Sequence, residues 1–124
     1  FVEGSVSNSN EIQQVTQSLC GKVDAIYAPT DNMIAAGMAT VGQVAVENKI
    51  PVIVGEGGMC AAGGLATYGI NYYELGKQTA KMAVEILKDG KKPAEMPIQY
   101  LEKCDLSVNE DTAKALGITI PENL

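Results

Sequence analysis

The chain of 124 residues has no histidine and no tryptophan, one phenylalanine and five tyrosines. Without histidine, neither a Ser-His-Asp nor a Cys-His apparatus can be built, and the commonest transition-metal ligand is missing. Most hydrolase chemistries are excluded on that ground. Only three cysteines occur, Cys20, Cys60 and Cys104, widely spaced and with no CxxC. They make neither a disulfide framework nor a zinc ribbon, and at least two are expected to be small buried apolar residues. No apolar run approaches the roughly 20 residues that cross a bilayer. Basic residues are in the minority, 9 Lys and Arg against 15 Asp and Glu, for a net charge of −6. So acidic a chain repels phosphate backbones, which excludes nucleic acid as a partner.

What is present suits one globular domain: 46% hydrophobic and 19% charged residues, too apolar for wholesale disorder. The opening Phe1-Val2-Glu3 carries neither an initiator methionine nor a secretory leader, so the chain reads as a mature or truncated product of unassigned compartment. Phe1–Val6 reads as a weak strand. Asn8 and Glu11 form a loose capping box before a helix with Ile12, Val15 and Leu19 on one face, closed by Gly21. Val23–Ala28 is a strand ended by Pro29. Thr30-Asp31-Asn32 then opens a second helix carrying Ile34, Met38, Val41 and Ala45, weakened by Gly37 and Gly42. The unbroken apolar run Ile50–Val54 predicts a strand buried on both faces. Gly55–Gly64 reads as a glycine-rich loop, Leu65–Ile70 as a strand, and Tyr73–Leu87 as the strongest helix. Ile98–Leu101 and Leu106–Val108 are short strand candidates, and Asn109 caps a helix stopped by Gly117. Strands alternating with helices predict an α/β fold, a three-layer Rossmann-like parallel sheet with flanking helices, whose ligands bind beyond the carboxyl ends of the strands.

Three loops occupy those ends. In the first, Asp31 can accept from an amine or hydroxyl, Asn32 can give and take, and free amides of the helical turn can receive a carboxylate. Plain helix capping by Thr30 or Asp31 explains the same residues without a ligand and is favoured by the pattern alone. Gly55-Glu56-Gly57-Gly58 lacks the Gly-Lys-Ser/Thr of a phosphate loop and does not follow the first strand as a dinucleotide fingerprint does. No cofactor is implied. Glu56, just past a buried strand, remains a ligand candidate. Tyr68, Tyr72 and Tyr73 surround the Gly69-Ile70-Asn71 corner and suit stacking on a planar ligand, although a lone Tyr73 packed on the core is the commoner case.

The runs Val23–Asn32 and Ile50–Glu56, with Gly64-Leu65-Ala66-Thr67-Tyr68-Gly69-Ile70-Asn71-Tyr72-Tyr73-Glu74-Leu75-Gly76 and Asn109–Pro121, resemble the substrate-binding proteins of ABC importers of the tryptophan/tyrosine type. The resemblance covers nearly the whole chain in order. It implies the type I periplasmic-binding fold: a two-lobed receptor that closes on a solute and presents it to a membrane permease. Family members exceed twice this length, so the resemblance implies that residues 1–124 are the carboxyl-terminal part. The amino-terminal lobe and the first strand-helix unit of the second lobe would then be missing. The chain would cross the hinge near 68–71 and 98–104, and the Tyr73–Leu87 helix would belong on the absent lobe. A dimer or swapped assembly is therefore expected of the isolated chain.

Carried over by position, the ligand-facing residues are Thr30, Asp31, Asn32, Glu56, Tyr68, Asn71 and Tyr72. Asp31 and Glu56 would suit an α-ammonium group, Thr30 and Asn32 a carboxylate, and the tyrosines an aromatic side chain. The family often has Asp at the place of Asn71, and Ser where Gly57 stands. The implied protein is a non-enzymatic receptor, extracellular, membrane-anchored or periplasmic, for an aromatic amino acid or similar small solute. Two other readings compete: a small α/β enzyme using Asp31 and Glu56, which no base or nucleophile accompanies, and the effector-binding domain of a transcription regulator.

Overall fold

The computed structural model describes residues 1–123. In chain order its elements are α1 (Ile12–Cys20), β1 (Ile26–Ala28), α2 (Asn32–Ala36), α3 (Met38–Glu47), β2 (Val52–Val54), α4 (Gly57–Ala61), β3 (Ala66–Gly69), α5 (Tyr72–Leu87), β4 (Asp105–Val108) and α6 (Glu110–Leu116). Short 3-10 turns cover Ser9–Glu11 and Pro93–Glu95. Two compact units result, Phe1–Gly69 with Leu106–Leu124, and Ile70–Asp105.

The first unit holds the sheet, ordered β1-β2-β3-β4. β1 and β2 pair in parallel with Tyr27 opposite Ile53 and Ala28 opposite Val54, and β2 pairs in parallel with β3. β4 runs the other way: Asn109, just past β4, donates its N–H to the carbonyl of Leu65, just before β3, at 2.8 Å. The core lies on one side of this sheet. Ala28, Val52 and Val54 meet Ile12 of α1, Met38, Val41 and Ala45 of α3, and Met59 and Cys60 of α4. Burying each of the larger side chains contributes about 1.5–3 kcal/mol. Ile53 points to the opposite face with Tyr27 and Tyr68 and is 39% exposed, so the β2 run is buried on one face only. Unbroken hydrophobicity did not distinguish the two cases.

Several boundaries differ from the sequence reading. Phe1–Val6 forms no strand; Phe1 and Val2 are exposed, and of this segment Val6 packs against the core. Gly4 lies over α1, where a β-carbon would stand 2.9 Å from Val15 Cγ1. The single helix expected after Asn32 is two, divided at Gly37, whose N–H reaches the carbonyls of both Met33 and Ile34. The glycine-rich stretch is not simply a loop, because Glu56 caps α4 within it. At the far end Asn109 accepts from Thr112 N–H and Gly117 closes α6 at φ 74°, as the pattern predicts.

In the second unit, α5 has no buried residue, and Leu75, Met82 and Ile86 are half-buried. Tyr73 does not pack on a core; it is 74% exposed, with Lys77 over its ring at 5.4 Å. The expected strand Ile98–Leu101 is irregular, with Ile98 and Tyr100 exposed, while Gln78 Nε2 reaches Gln99 Oε1 at 3.0 Å. An apolar-rich tetrapeptide without a strand beside it has no ladder to join.

Candidate functional site

The carboxyl ends of three parallel strands meet where side chains are kept out by glycine. Past β2, the Gly55 N–H donates to the Ala28 carbonyl at 3.0 Å. A β-carbon on Gly55 would lie 2.6 Å from the Thr30 nitrogen. One on Gly69, at the end of β3, would lie 3.0 Å from the Gly55 carbonyl oxygen and 3.1 Å from Glu56 Cα. The Thr30 and Glu56 backbones are therefore brought to one rim by backbone contacts that tolerate no side chain between them.

Two carboxylates stand on this rim, both used locally. Asp31 Oδ1 accepts from Met33 N–H at 2.8 Å and Ile34 N–H at 2.9 Å, capping α2. Its Oδ2 carries no bond among the described residues. Glu56 caps α4 with both oxygens, Oε2 taking Gly58 N–H at 2.8 Å and Oε1 taking Met59 N–H at 2.6 Å. Asp31 rather than Thr30 is thus the cap. The amides expected to receive a ligand carboxylate in the first turn of α2 are already engaged by Asp31. Thr30, Asp31 and Asn32 are exposed and Glu56 is half-buried. Tyr68, 73% exposed, projects from the uncovered face one residue before the rim.

Beneath the rim, Thr67 is 2% exposed and its hydroxyl has no hydrogen-bond partner. Cys60 is buried, with its sulfur 3.7 Å from the Leu65 carbonyl and 3.6 Å from that of Ser107. Burial pushes its thiol pKa up and nearby Glu56 adds to the rise, against a lowering backbone hydrogen bond from Asn109. An apolar hollow of about 300 Å³ lies between residues 4–6, α1 and β1; it reaches Asp31 and includes no other rim candidate.

The remaining candidates lie in the second unit. Asn71 caps α5 through Oδ1, accepting from Tyr73 N–H at 3.0 Å and Glu74 N–H at 3.1 Å. Its Nδ2 donates to Asp105 Oδ2 at 2.8 Å. Tyr72 is half exposed in the first turn. Asp105, the partner of Asn71, directly precedes Leu106–Val108 in the sequence. Among the described residues, no three His, Cys, Asp or Glu side chains are grouped to hold a metal.

Glycine-tightened strand ends thus carry hydroxyl, carboxylate and amide groups at one rim of an α/β unit. The chain belongs to the ABC transporter substrate binding protein family, whose family model matches residues 1–124. It is 44% identical over 117 residues to a tyrosine-binding protein of Clostridioides difficile strain R20291, covering 94% of this chain and 34% of that protein. An ABC domain from Streptococcus pneumoniae, solved in complex with L-Trp, superposes with a TM-score of 0.85 at 39% identity, over 95% of this chain and 40% of that one. A substrate-binding protein with adhesive properties from Clostridium difficile, solved ligand-free and open, gives 0.77 at 48% identity, over 98% and 41%. This chain thus spans well under half the length of each.

Proposed function

We propose that residues 1–124 are the carboxyl-terminal lobe of a two-lobed receptor that captures an aromatic amino acid for an ABC importer. The observation that carries this reading is the rim itself, where Gly55 and Gly69 hold Thr30, Asp31 and Glu56 at neighbouring strand ends. Ligands of open α/β sheets bind there. Relatives named for tyrosine, or solved with L-Trp, support the solute class. In this reading Thr30 and Asn32 meet the ligand carboxylate, and Asp31, through its free oxygen, meets the ammonium group. Glu56 shapes the rim more than it contacts the ligand, having both oxygens engaged. Tyr68 and Tyr72 supply aromatic contact, and Asn71 places α5.

The division of the chain at Gly69–Ile70 and Asp105–Leu106 supports hinge crossings near 68–71 and 98–104. The receptor works outside the cytoplasmic membrane, periplasmic or anchored to the cell surface, and delivers the solute unchanged to a permease. A thermal-shift screen of amino acids and nucleosides on the two-lobed protein tests the reading. Stabilisation by tryptophan, tyrosine or phenylalanine is expected, and stabilisation by nucleosides alone overturns the solute class.

A further inference from the structure

Of the five aspartates in the chain, Asp89 alone is followed by glycine. The others precede Ala25, Asn32, Leu106 and Thr112, each with a β-carbon. Asp31 and Asp105 also hold hydrogen bonds, and Asp111 lies within α6. Asp89 and Gly90 follow the end of α5, and both are exposed. Gly90 adopts φ 73°, and a β-carbon there would meet nothing within 4 Å. Among the described residues, neither the Gly90 N–H nor the Asp89 carboxylate has a hydrogen-bond partner. The loop is closed around them by Lys91, whose N–H donates to the Glu85 carbonyl at 3.0 Å and whose Nζ meets Glu85 Oε2 at 3.0 Å. Asp89 and Gly90 thus stand at the tip of a pinned loop, with no bond that keeps the amide nitrogen and the carboxyl apart.

We propose that Asp89–Gly90 is a site of spontaneous covalent modification, the conversion of aspartate to isoaspartate through a cyclic imide. The Gly90 amide nitrogen bonds to Cγ of Asp89 and gives up its proton, the Cγ–OH bond breaks, and one water leaves. Water then adds to one of the two imide carbonyls. Opening at Cγ restores aspartate. Opening at the α-carbonyl leaves the backbone running through Cβ and Cγ, with the α-carboxylate free. The water lost is the water regained, so the mass is unchanged and no oxidant or cofactor takes part. Glycine matters because a β-carbon on the attacking residue crowds the closing ring. The product carries one more backbone atom inside a loop that Lys91 and Glu85 clamp, so it is expected to loosen both of their contacts.

The test incubates the 124-residue chain for weeks at body temperature in mildly acidic buffer. An isoaspartate methyltransferase with a radiolabelled methyl donor then marks the free α-carboxylates, and the label is mapped by peptide. A peptide of the sequence Lys88–Lys92 gives the rate without the fold. Label is expected at Asp89, on the order of tenfold above any other aspartate and at a rate within about tenfold of the peptide's, because the fold adds no protecting bond there. Asp89→Glu keeps the charge but must close a larger ring, and is expected to abolish the label. Gly90→Ala is expected to reduce it about tenfold or more. Label spread evenly over the aspartates, label that persists in Asp89→Glu, or unchanged label in Gly90→Ala overturns the proposal. So does a rate in the folded chain more than about tenfold below that of the peptide, which would show that the loop protects the site.

Discussion

Asp31 and Glu56 stand past the ends of neighbouring parallel strands and perform the same task, each capping the short helix that follows it. They differ in what is left over. Asp31 spends one oxygen on two amides, whereas Glu56 spends one oxygen on each. The two carboxylates, alike in the sequence, therefore differ in the acceptor each leaves free.

That inequality separates stability from binding. Glu56→Ala removes a cap and is expected to lower unfolding free energy by about 1–2 kcal/mol in denaturant titration. Asp31→Asn keeps a good capping side chain and is expected to stay within about 0.5 kcal/mol of the parent. Under the proposed function the same substitution is expected to weaken amino-acid binding by the two-lobed receptor, measured by calorimetric titration. Equal destabilisation by both variants would contradict the assignment.

Two glycines give opposite forecasts. Gly69→Ala forces a β-carbon to within 2.9 Å of Thr67 Oγ1 and 3.0 Å of the Gly55 carbonyl, and is expected to destabilise by about 1–3 kcal/mol. Gly76, inside α5, has nothing within 4 Å of the same position. Gly76→Ala is expected to raise stability by about 0.5–1 kcal/mol through helix propensity and a less flexible unfolded chain. Melting curves of both variants decide this.

The helix frame was legible because its signals are local. Asn8, Asn109 and Gly117 announce helix ends within four residues of themselves, and the structure uses all three. Three features were not legible, each for a physical reason. α4 begins with Gly57 and Gly58, whose low helix propensity hides a helix that Glu56 and burial of Met59 and Cys60 stabilise. The exposure of Ile53 depends on which face the helices cover, which an unbroken apolar run does not encode. The Asn71–Asp105 bond joins residues 34 apart, beyond the reach of any local pattern.

Cys60 makes stability depend on alkaline pH. Its thiol titrates higher in the folded chain than its ordinary value of 9.0, chiefly through burial. The unfolded chain therefore loses this proton first as pH rises, and the contribution, fully present below pH 9.0, is lost up to the raised folded value. Denaturation midpoints measured from pH 7 to 11 are expected to fall more steeply in the parent than in Cys60→Ala. Parallel curves would show that the buried thiol is not responsible.

The exposed side chains of α5 forecast self-association of the isolated chain. Tyr73, Val84 and Leu87 are 74%, 52% and 86% exposed, an unusual load of apolar surface on one helix. Light scattering at high concentration is expected to give the mass of a dimer, and Leu87→Lys to reduce it. A strictly monomeric parent would contradict the forecast.

In the proposed function these strand ends supply one side of a grip on an amino acid. One lobe provides about half of the contacts while ordering costs of several kcal/mol remain, so the isolated chain is expected to bind at millimolar strength or not at all. Calorimetric titration of L-tryptophan and L-tyrosine into the 124-residue chain and into the two-lobed receptor, side by side, measures this directly. Saturable one-to-one binding by the receptor, with millimolar or undetectable binding by the chain alone, is the predicted result. Micromolar binding by the isolated chain, or none by the receptor, would contradict it.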